Sequence, residues 1–415
     1  MTDEQSIHRV LQVHTRYRQT GGEDEAVEAE KRLLEDAGVE VTQVIFNNAD
    51  LRESVSLVAD LGLAASAIWS RSAQRRVAAA VVASHPQVMH VHNTFPLASP
   101  SVYSAAAARG VPVIQTLHNY RFVCPAATVF RNGRVCTDCV GRLIPWPSVV
   151  HACVRGSRPQ SAVAAATLTA HRARGTFARE ITGYVALTGF QRQLMIDGGL
   201  GGERIRIIPN FLEPDPGMGS EDRTGVVFVG RLSPEKGVAI LLEAASAVPG
   251  VVRIIGDGPL ASLVGKANGA GHATFLGPLP RASVLGELRR SIALVLPSVW
   301  FEGLPLVVLE AFAVGTPVIA SRIGSLAELV ESGTTGLLAE PNNAGDLAER
   351  ISWAIAHPGE MLAMGGRARD RYEASFRGET HLGALLEAYA WVRGGRISIE
   401  GSGMDGPGAA KARPA

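Results

Sequence analysis

The stretch Pro297-Ser298-Val299-Trp300-Phe301-Glu302-Gly303-Leu304-Pro305-Leu306-Val307-Val308-Leu309-Glu310-Ala311 follows the apolar run Ile292 to Leu296, which reads as a strand. Pro305 suits the first turn of a helix, because its fixed φ and missing N–H cost nothing there. A strand therefore feeds an irregular loop carrying Glu302 and Gly303, and the loop opens an apolar helix. Gly303 allows backbone amides to approach a phosphate or sugar closely. Glu310 lies inside the apolar helix, where an unpaired carboxylate is expensive. Its oxygens need partners, either the vicinal hydroxyls of a ribose or a buried arginine.

The same strand-loop-helix order stands upstream. Val226 to Val229 reads as a strand and turns through Gly230-Arg231-Leu232-Ser233-Pro234-Glu235-Lys236-Gly237 into a helix. Two cations then sit beside a helix N-terminus, whose free N–H groups and partial positive charge suit a diphosphate. Glu235 and Gly237 rule out a Walker loop. Further strands are expected at Val251 to Ile255, Ala273 to Leu276, Pro317 to Ala320 and Gly336 to Ala339. Helices are expected near 237–247, 283–290, 305–314, 344–357 and 359–374.

The first half alternates in the same way. Strands are expected at Val10 to His14, Val39 to Phe46, Val88 to His92, Val111 to Leu117, Tyr184 to Leu187 and Ile205 to Ile208, with a helix over Glu23 to Ala37. Glu213-Pro214-Asp215-Pro216-Gly217 reads as a linker. Two open parallel sheets in series create a cleft, and ligands bind beyond the carboxyl ends of such strands. The domains expected are 1–212, with an insert at 120–158, and 225–376, joined by 213–224. A helix over 377–398 is free to pack back on the first domain, and 399–415 reads as a disordered tail.

The 415 residues exceed the roughly 250–300 at which one core stops growing. A net charge of +1 argues against duplex nucleic acid as a partner. No run reaches the ~18 apolar residues of a spanning helix, and the polar start lacks a signal peptide's layout. The corresponding expectation is a cytoplasmic protein.

Together, Glu302 and Glu310, Gly230-Arg231-Leu232 with Lys236-Gly237, Ile208-Pro209-Asn210, Gly256-Asp257-Gly258-Pro259 and Gly315-Thr316-Pro317 resemble the donor signature of glycosyltransferase family 4, the retaining GT-B enzymes. The resemblance implies an α/β GT-B architecture, two Rossmann-like domains facing a central cleft. It implies a retaining transferase that moves a sugar from a nucleoside diphosphate donor to a hydroxyl acceptor without a catalytic metal. Arg231 and Lys236 would neutralise the diphosphate, and Glu310 would bind ribose. Glu302, Phe301, Gly303 and Leu304 would engage the sugar, with Gly256 nearby. A Gly21-Gly22 turn would face the donor, and His118, after the strand ending at Leu117, would contact the sugar near the reacting carbon. His92, Asn93 and Asn119 fall on the acceptor side, while His90 reads as packing. An epimerase or hydrolase of the same architecture, or a non-catalytic nucleotide-sugar-binding subunit, are the alternatives.

Cys124, Cys136, Cys139 and Cys153 have the spacing C-x11-C-x2-C-x13-C. Tetrahedral thiolate ligation of a structural zinc fits this spacing, with free thiols or a disulfide as the other readings. The segment, with His118-Asn119-Tyr120-Arg121 and Arg155-Gly156-Ser157-Arg158, resembles a subset of family 4 linked to bacterial exopolysaccharide and cell-surface polysaccharide synthesis. The resemblance implies a lipid-linked or oligosaccharide acceptor. No acidic residue occurs between Asp138 and Glu180. This basic stretch fits an acceptor diphosphate or anionic headgroups, hence a peripheral contact with the inner membrane surface. Val55 to Trp69 reads either as a membrane-surface helix or as one covering the sheet.

Overall fold

Parallel strands that are apolar on both faces need helices on both sides, and the sequence provides such cover twice. A computed structural model describes residues 6–16, 21–48, 57–219 and 222–394, with side chains in the third of these segments described from residue 62 onward. The expected tail, the last turn of the expected helix over 377–398, and Val55 lie outside the described residues.

The first sheet contains β1 (Arg9–Arg16), β2 (Glu40–Asn47), β3 (Val88–Val91) and β4 (Val113–Leu117). A small antiparallel hairpin, β5 (Phe130–Arg131) and β6 (Arg134–Val135), interrupts it before β7 (Gly183–Ala186) and β8 (Ile205–Ile207). The second sheet contains β9 (Val226–Val229), β10 (Val252–Ile255), β11 (Ala273–Gly277), β12 (Ala293–Leu296), β13 (Val318–Ser321) and β14 (Gly336–Ala339). The spatial orders are β2-β1-β3-β4-β7-β8 and β11-β10-β9-β12-β13-β14, and all neighbours in both sheets are parallel.

In each sheet the chain first moves outward to one side and then returns to the other side of its first strand. The reversal lies between β1 and β3 in the first sheet and between β9 and β12 in the second. Helices leave the two strands at such a point in opposite directions, which opens a crevice at their carboxyl ends. Arg231 follows β9, Ser298 to Glu302 follow β12, His92 follows β3, and His14 lies two residues before the end of β1.

Each sheet buries apolar side chains on both faces. Leu11, Val13, Met89, Val91 and Tyr184 form one core of the first domain, and Val10, Val88, Ile114 and Val185 form the other. The second of these cores is closed by the C-terminal helix Gly378–Val392, which contributes Leu385, Ala388, Tyr389 and Val392. The chain therefore returns to its first domain after completing its second. Asp215 anchors the connecting segment through Arg369, whose terminal nitrogens lie 2.7 and 2.6 Å from its two oxygens.

The helix Leu57–Ile68 covers the first domain. His171 Nε2 donates to its Ile68 carbonyl at 2.8 Å, and the following Trp69 stacks on the His171 ring at 5.7 Å. Packing against the helix Arg158–Arg174 accounts for this end of the segment, which favours the covering role. Among the described residues no helix is long and apolar enough to cross a membrane.

Candidate active site

Three loops meet beyond the second sheet: Gly230 to Gly237 after β9, Gly256 to Gly258 after β10, and Pro297 to Leu304 after β12. Glycine is required at two of the contacts. Gly237 has φ +70°, and a Cβ there would overlap the Pro297 carbonyl. Gly256 has φ +145°, and a Cβ there would overlap the Gly230 carbonyl. The first contact fixes the cation loop against the glutamate loop, and the second fixes it against the loop after β10.

The result is a direct pairing of two residues far apart in sequence. Lys236 Nζ lies 2.8 and 2.9 Å from the two oxygens of Glu302. Ser298 Oγ donates to Glu302 Oε1 at 2.6 Å. The Glu302 side chain is 6% exposed, whereas that of Lys236 is 22% exposed. The lysine thus keeps a face toward solvent, while the carboxylate that holds it is buried. Arg231 is exposed and makes no ion pair among the described residues. An arriving polyanion meets one free guanidinium and one ammonium already oriented by a buried carboxylate.

Glu310 lies one helix turn beyond Leu306, and its Oε1 accepts from Arg281 Nε at 3.0 Å. Of the two partners that sequence allowed, the structure pairs it with arginine. Burial raises the Glu310 carboxyl above its ordinary range against the opposing pull of Arg281. Arg281 is 51% exposed, so it can swing away and free the carboxylate for other donors. Arg281 and Leu306 also line an interdomain cavity of ≈ 570 Å³ together with Arg16, Glu25 and Phe211.

The first domain faces this site closely. Tyr120 Oη donates to the Glu302 carbonyl at 2.8 Å, and a side chain at Gly303 would come 3.3 Å from the His118 carbonyl. Phe301 packs edge-on to Phe190 at 4.6 Å, and Leu304 is buried. Glu328 accepts from Gly189 N at 2.8 Å and Phe190 N at 2.6 Å, capping a helix of the opposite domain. Gly21 precedes the helix Gly22–Asp36, and its N–H donates to Asp24 at 3.1 Å. Glu23, Asp24 and Glu25 fill the first turn, so this helix start repels phosphate and suits an uncharged sugar.

A buried network lies behind His118. His118 Nε2 and His92 Nδ1 are 3.0 Å apart, and His92 Nε2 lies 3.4 Å from Glu30 Oε1 without hydrogen-bond geometry. Burial would raise the Glu30 carboxyl, but His90, His92 and His381 around it hold it well below its ordinary range. Burial pushes His92 down to about 4, and His118 moves in the same direction. Both rings are therefore neutral near pH 7. Of the two facing nitrogens, His118 Nε2 and His92 Nδ1, one donates and the other accepts, as the tautomers decide.

Glu30, His90 and His92 are also the one group of His, Cys, Asp or Glu atoms close enough to share a metal ion among the described residues. Protein partners already fill it. His90 bonds Tyr389 Oη at 2.8 Å and Thr116 Oγ1 at 2.7 Å, and Gln12 donates to Glu30 at 2.9 Å. Sequence reading missed Glu30 because it resembles a solvated helix position. The alternation of His90 and His92 on one strand face was the available signal.

His92, Asn93 and Asn119, expected on the acceptor side, line one small cavity together with His118. Asn93 is buried, with its amide donating to the Thr15 carbonyl at 3.0 Å and its oxygen accepting from Phe95 N at 3.1 Å. Asn119 accepts from Arg121 N at 3.0 Å. Both asparagines brace the turns in which they stand, and His92 bonds His118. The four cysteines form no disulfide. Burial, together with the neighbouring Cys124, Cys153 and Cys136, pushes the Cys139 thiol up to about 11. The sulfurs thus share one neighbourhood, though no three lie within 4.8 Å of one another.

Two family models match in chain order. Residues 21–210 match the glycosyl transferase 4-like domain, and residues 217–371 match the glycosyl transferases group 1. The chain has the GT-B fold and carries both glycosyltransferase domains. Among solved GT-B structures it is similar to Anabaena HepE in complex with UDP and glucose, at TM-score 0.65 and 18% identity, covering 92% of this chain and 100% of that one. It is also similar to the apo lipopolysaccharide outer core galactosyltransferase WaaB, at TM-score 0.61 and 16% identity, covering 92% and 98%. The D-inositol 3-phosphate glycosyltransferase of Mycolicibacterium smegmatis is 35% identical over 179 residues, 41% of this chain and 40% of that enzyme. The matched stretch thus spans about two fifths of this curated relative.

Proposed function

We propose that this protein transfers a sugar from a nucleoside diphosphate sugar to a hydroxyl acceptor, with retention at the anomeric carbon. The observation that carries the reading is the Lys236-Glu302-Ser298 cluster at the strand reversal, with Arg231 exposed beside it and Glu310 on the next helix. UDP and glucose are held by the similar HepE, which supports a nucleotide-sugar donor here.

In this reading the diphosphate draws Lys236 partly away from Glu302 and gains Arg231. Charge that develops on the leaving phosphate is met by cations already in place, which lowers the barrier without reorganisation. Glu302, relieved of part of its lysine contact, accepts from sugar hydroxyls. Glu310 exchanges Arg281 for the ribose diol. His118 hydrogen-bonds a donor-sugar hydroxyl. The bond from the anomeric carbon to the phosphate oxygen breaks, and the acceptor oxygen bonds to that carbon on the same face. The acceptor proton passes to the leaving phosphate oxygen. No divalent ion is assigned to this step. The acceptor proposed is lipid-linked or an oligosaccharide of a bacterial surface polysaccharide, and a structural zinc on the four cysteines would draw their sulfurs together.

The test is a panel of nucleoside diphosphate sugars incubated with and without lipid-linked acceptors. Transfer to acceptor with retained configuration is expected. Conversion of donor in the absence of acceptor would point to an epimerase or hydrolase, and binding without any conversion to a non-catalytic subunit.

A further inference from the structure

Among the described residues six large apolar side chains are more than half exposed, and four of them fall in one short stretch: Leu143, Ile144, Trp146 and Val150. Isolated exposed apolar residues are ordinary, but a cluster marks a surface built for contact. The backbone here is ordered rather than loose. Pro145, Pro147 and Ser148 turn inward and are buried. Ser148 Oγ donates to the Pro145 carbonyl at 2.7 Å, and Val150 N donates to the Trp146 carbonyl at 3.2 Å. Alternate side chains thus anchor the short helix Pro147–Val150 while the others are held out to solvent.

The surroundings are cationic. Arg142, Arg155 and Arg158 are exposed, and Arg142 lies 5.7 Å from the centre of the Trp146 ring. From Cys139 to Arg179 the sequence has no Asp or Glu. Aliphatic tips, a tryptophan and exposed arginines, with Asp138 at the edge already paired to Arg131 at 2.8 Å, match the chemistry of an anionic bilayer surface, where rings sit at headgroup depth and guanidiniums pair with lipid phosphates. A protein partner would have to bring a matching set of acids.

We infer that Leu143, Ile144, Trp146 and Val150, with Arg142, Arg155 and Arg158, dock this protein on an anionic lipid bilayer. Arg142 and Leu143 sit beside Gly175, Gly198 to Gly201 and Arg204, residues that precede β7 and β8. Docking would hold the protein at the surface that carries a lipid-linked acceptor; this consequence rests on the transferase reading, and the docking itself does not.

The test uses the full chain with vesicles of phosphatidylcholine alone or mixed with phosphatidylglycerol, read by co-sedimentation. Wild type is expected to sediment with the mixed vesicles, less so at high salt, and to stay in solution with phosphatidylcholine. The double variant Ile144→Ser/Trp146→Ser is expected to lose roughly tenfold or more in vesicle affinity. It should keep its Tm and its affinity for nucleoside diphosphate; Leu143→Ser/Val150→Ser is the second variant should the first not fold. Equal sedimentation of wild type and variants would overturn the proposal, as would wild type remaining in solution with both vesicles. So would a wild-type dimer in sedimentation velocity that the same substitutions convert to monomer without any vesicle binding. Wild type that transfers sugar but binds neither vesicle removes the docking alone, and wild type that binds the mixed vesicles but no nucleoside diphosphate removes the transferase reading alone.

Discussion

Lys236→Ala separates the two roles that the lysine holds. In the free protein it neutralises Glu302, a carboxylate only 6% exposed and otherwise served by the Ser298 hydroxyl. Breaking a buried pair from one side costs about 3–5 kcal/mol. The 22% exposure of the lysine and the surviving serine bond bring this to about 2–3 kcal/mol. For a domain of this size that is a fall of roughly 5–10 °C in Tm. In the complex the same ammonium faces the diphosphate. One unit charge at contact is worth about 4 kcal/mol at an effective dielectric of ~20. Solvent access and the remaining Arg231 reduce it to about 2–3 kcal/mol, a loss of roughly 30–150-fold in affinity. The double variant Lys236→Ala/Glu302→Gln should therefore recover most of the lost Tm without recovering nucleotide affinity. Calorimetric titration with nucleoside diphosphate and thermal unfolding of the three proteins supply both readings. Unchanged nucleotide affinity in Lys236→Ala, or its restoration in the double variant, would refute the reasoning.

The histidine cluster predicts a pH dependence of stability. Unfolded histidines take up protons near pH ~6.5, whereas folded His92 does so only at about 4 and His118 is shifted the same way. Below about pH 6.5 the unfolded chain binds more protons, so stability declines as pH falls toward 4, by on the order of 3 kcal/mol. Urea midpoints that stay constant over this window would contradict the assignment, and His92→Asn should flatten the slope. Glu310→Gln should weaken nucleoside diphosphate by roughly tenfold while leaving inorganic pyrophosphate unaffected, since only the former carries a ribose. Parallel losses for both ligands in titration calorimetry would show that Glu310 acts on the phosphates. Protein purified without tag or chelator should carry one equivalent of zinc by elemental analysis, lost in Cys139→Ser; well under one equivalent in wild type counts against a metal on the cysteines.

Much of the architecture could be read from local pattern. The helix expected over Glu23 to Ala37 is observed as Gly22–Asp36, and the one near 305–314 as Leu306–Ala313. The strand expected from Val111 begins at Val113, because Pro112 lacks a ladder donor. The helices Ala261–Gly269 and Gly324–Leu329 were missed: the first carries glycines at both 265 and 269, and the second spans less than two turns. The hairpin of β5 and β6 has two residues per strand, too few to show a period.

The candidate site was legible as residue types at strand ends, not as pairings. Lys236 and Glu302 were each singled out, yet nothing local states that they bond to one another. Glu310 was expected to need a partner, but which arginine supplies it depends on how two helices pack. The Glu30 network joins the first helix, β3 and the C-terminal helix, with Glu30 and His381 alone 351 positions apart, and only folding brings them together. The basic part of the docking surface was legible and its apolar part was not: Leu143, Ile144, Trp146 and Val150 have the composition of a core, and solvent exposure cannot be read from composition.

The central claim is that Arg231, Lys236, Glu302 and Glu310 receive a nucleoside diphosphate leaving group by fixed charge. Titration calorimetry with a set of nucleoside diphosphates in excess EDTA tests it most directly. Saturable one-to-one binding of at least one of them, unaltered by adding magnesium or manganese, is the predicted result. Absence of binding across the set, or binding that appears only on adding a divalent ion, would contradict it.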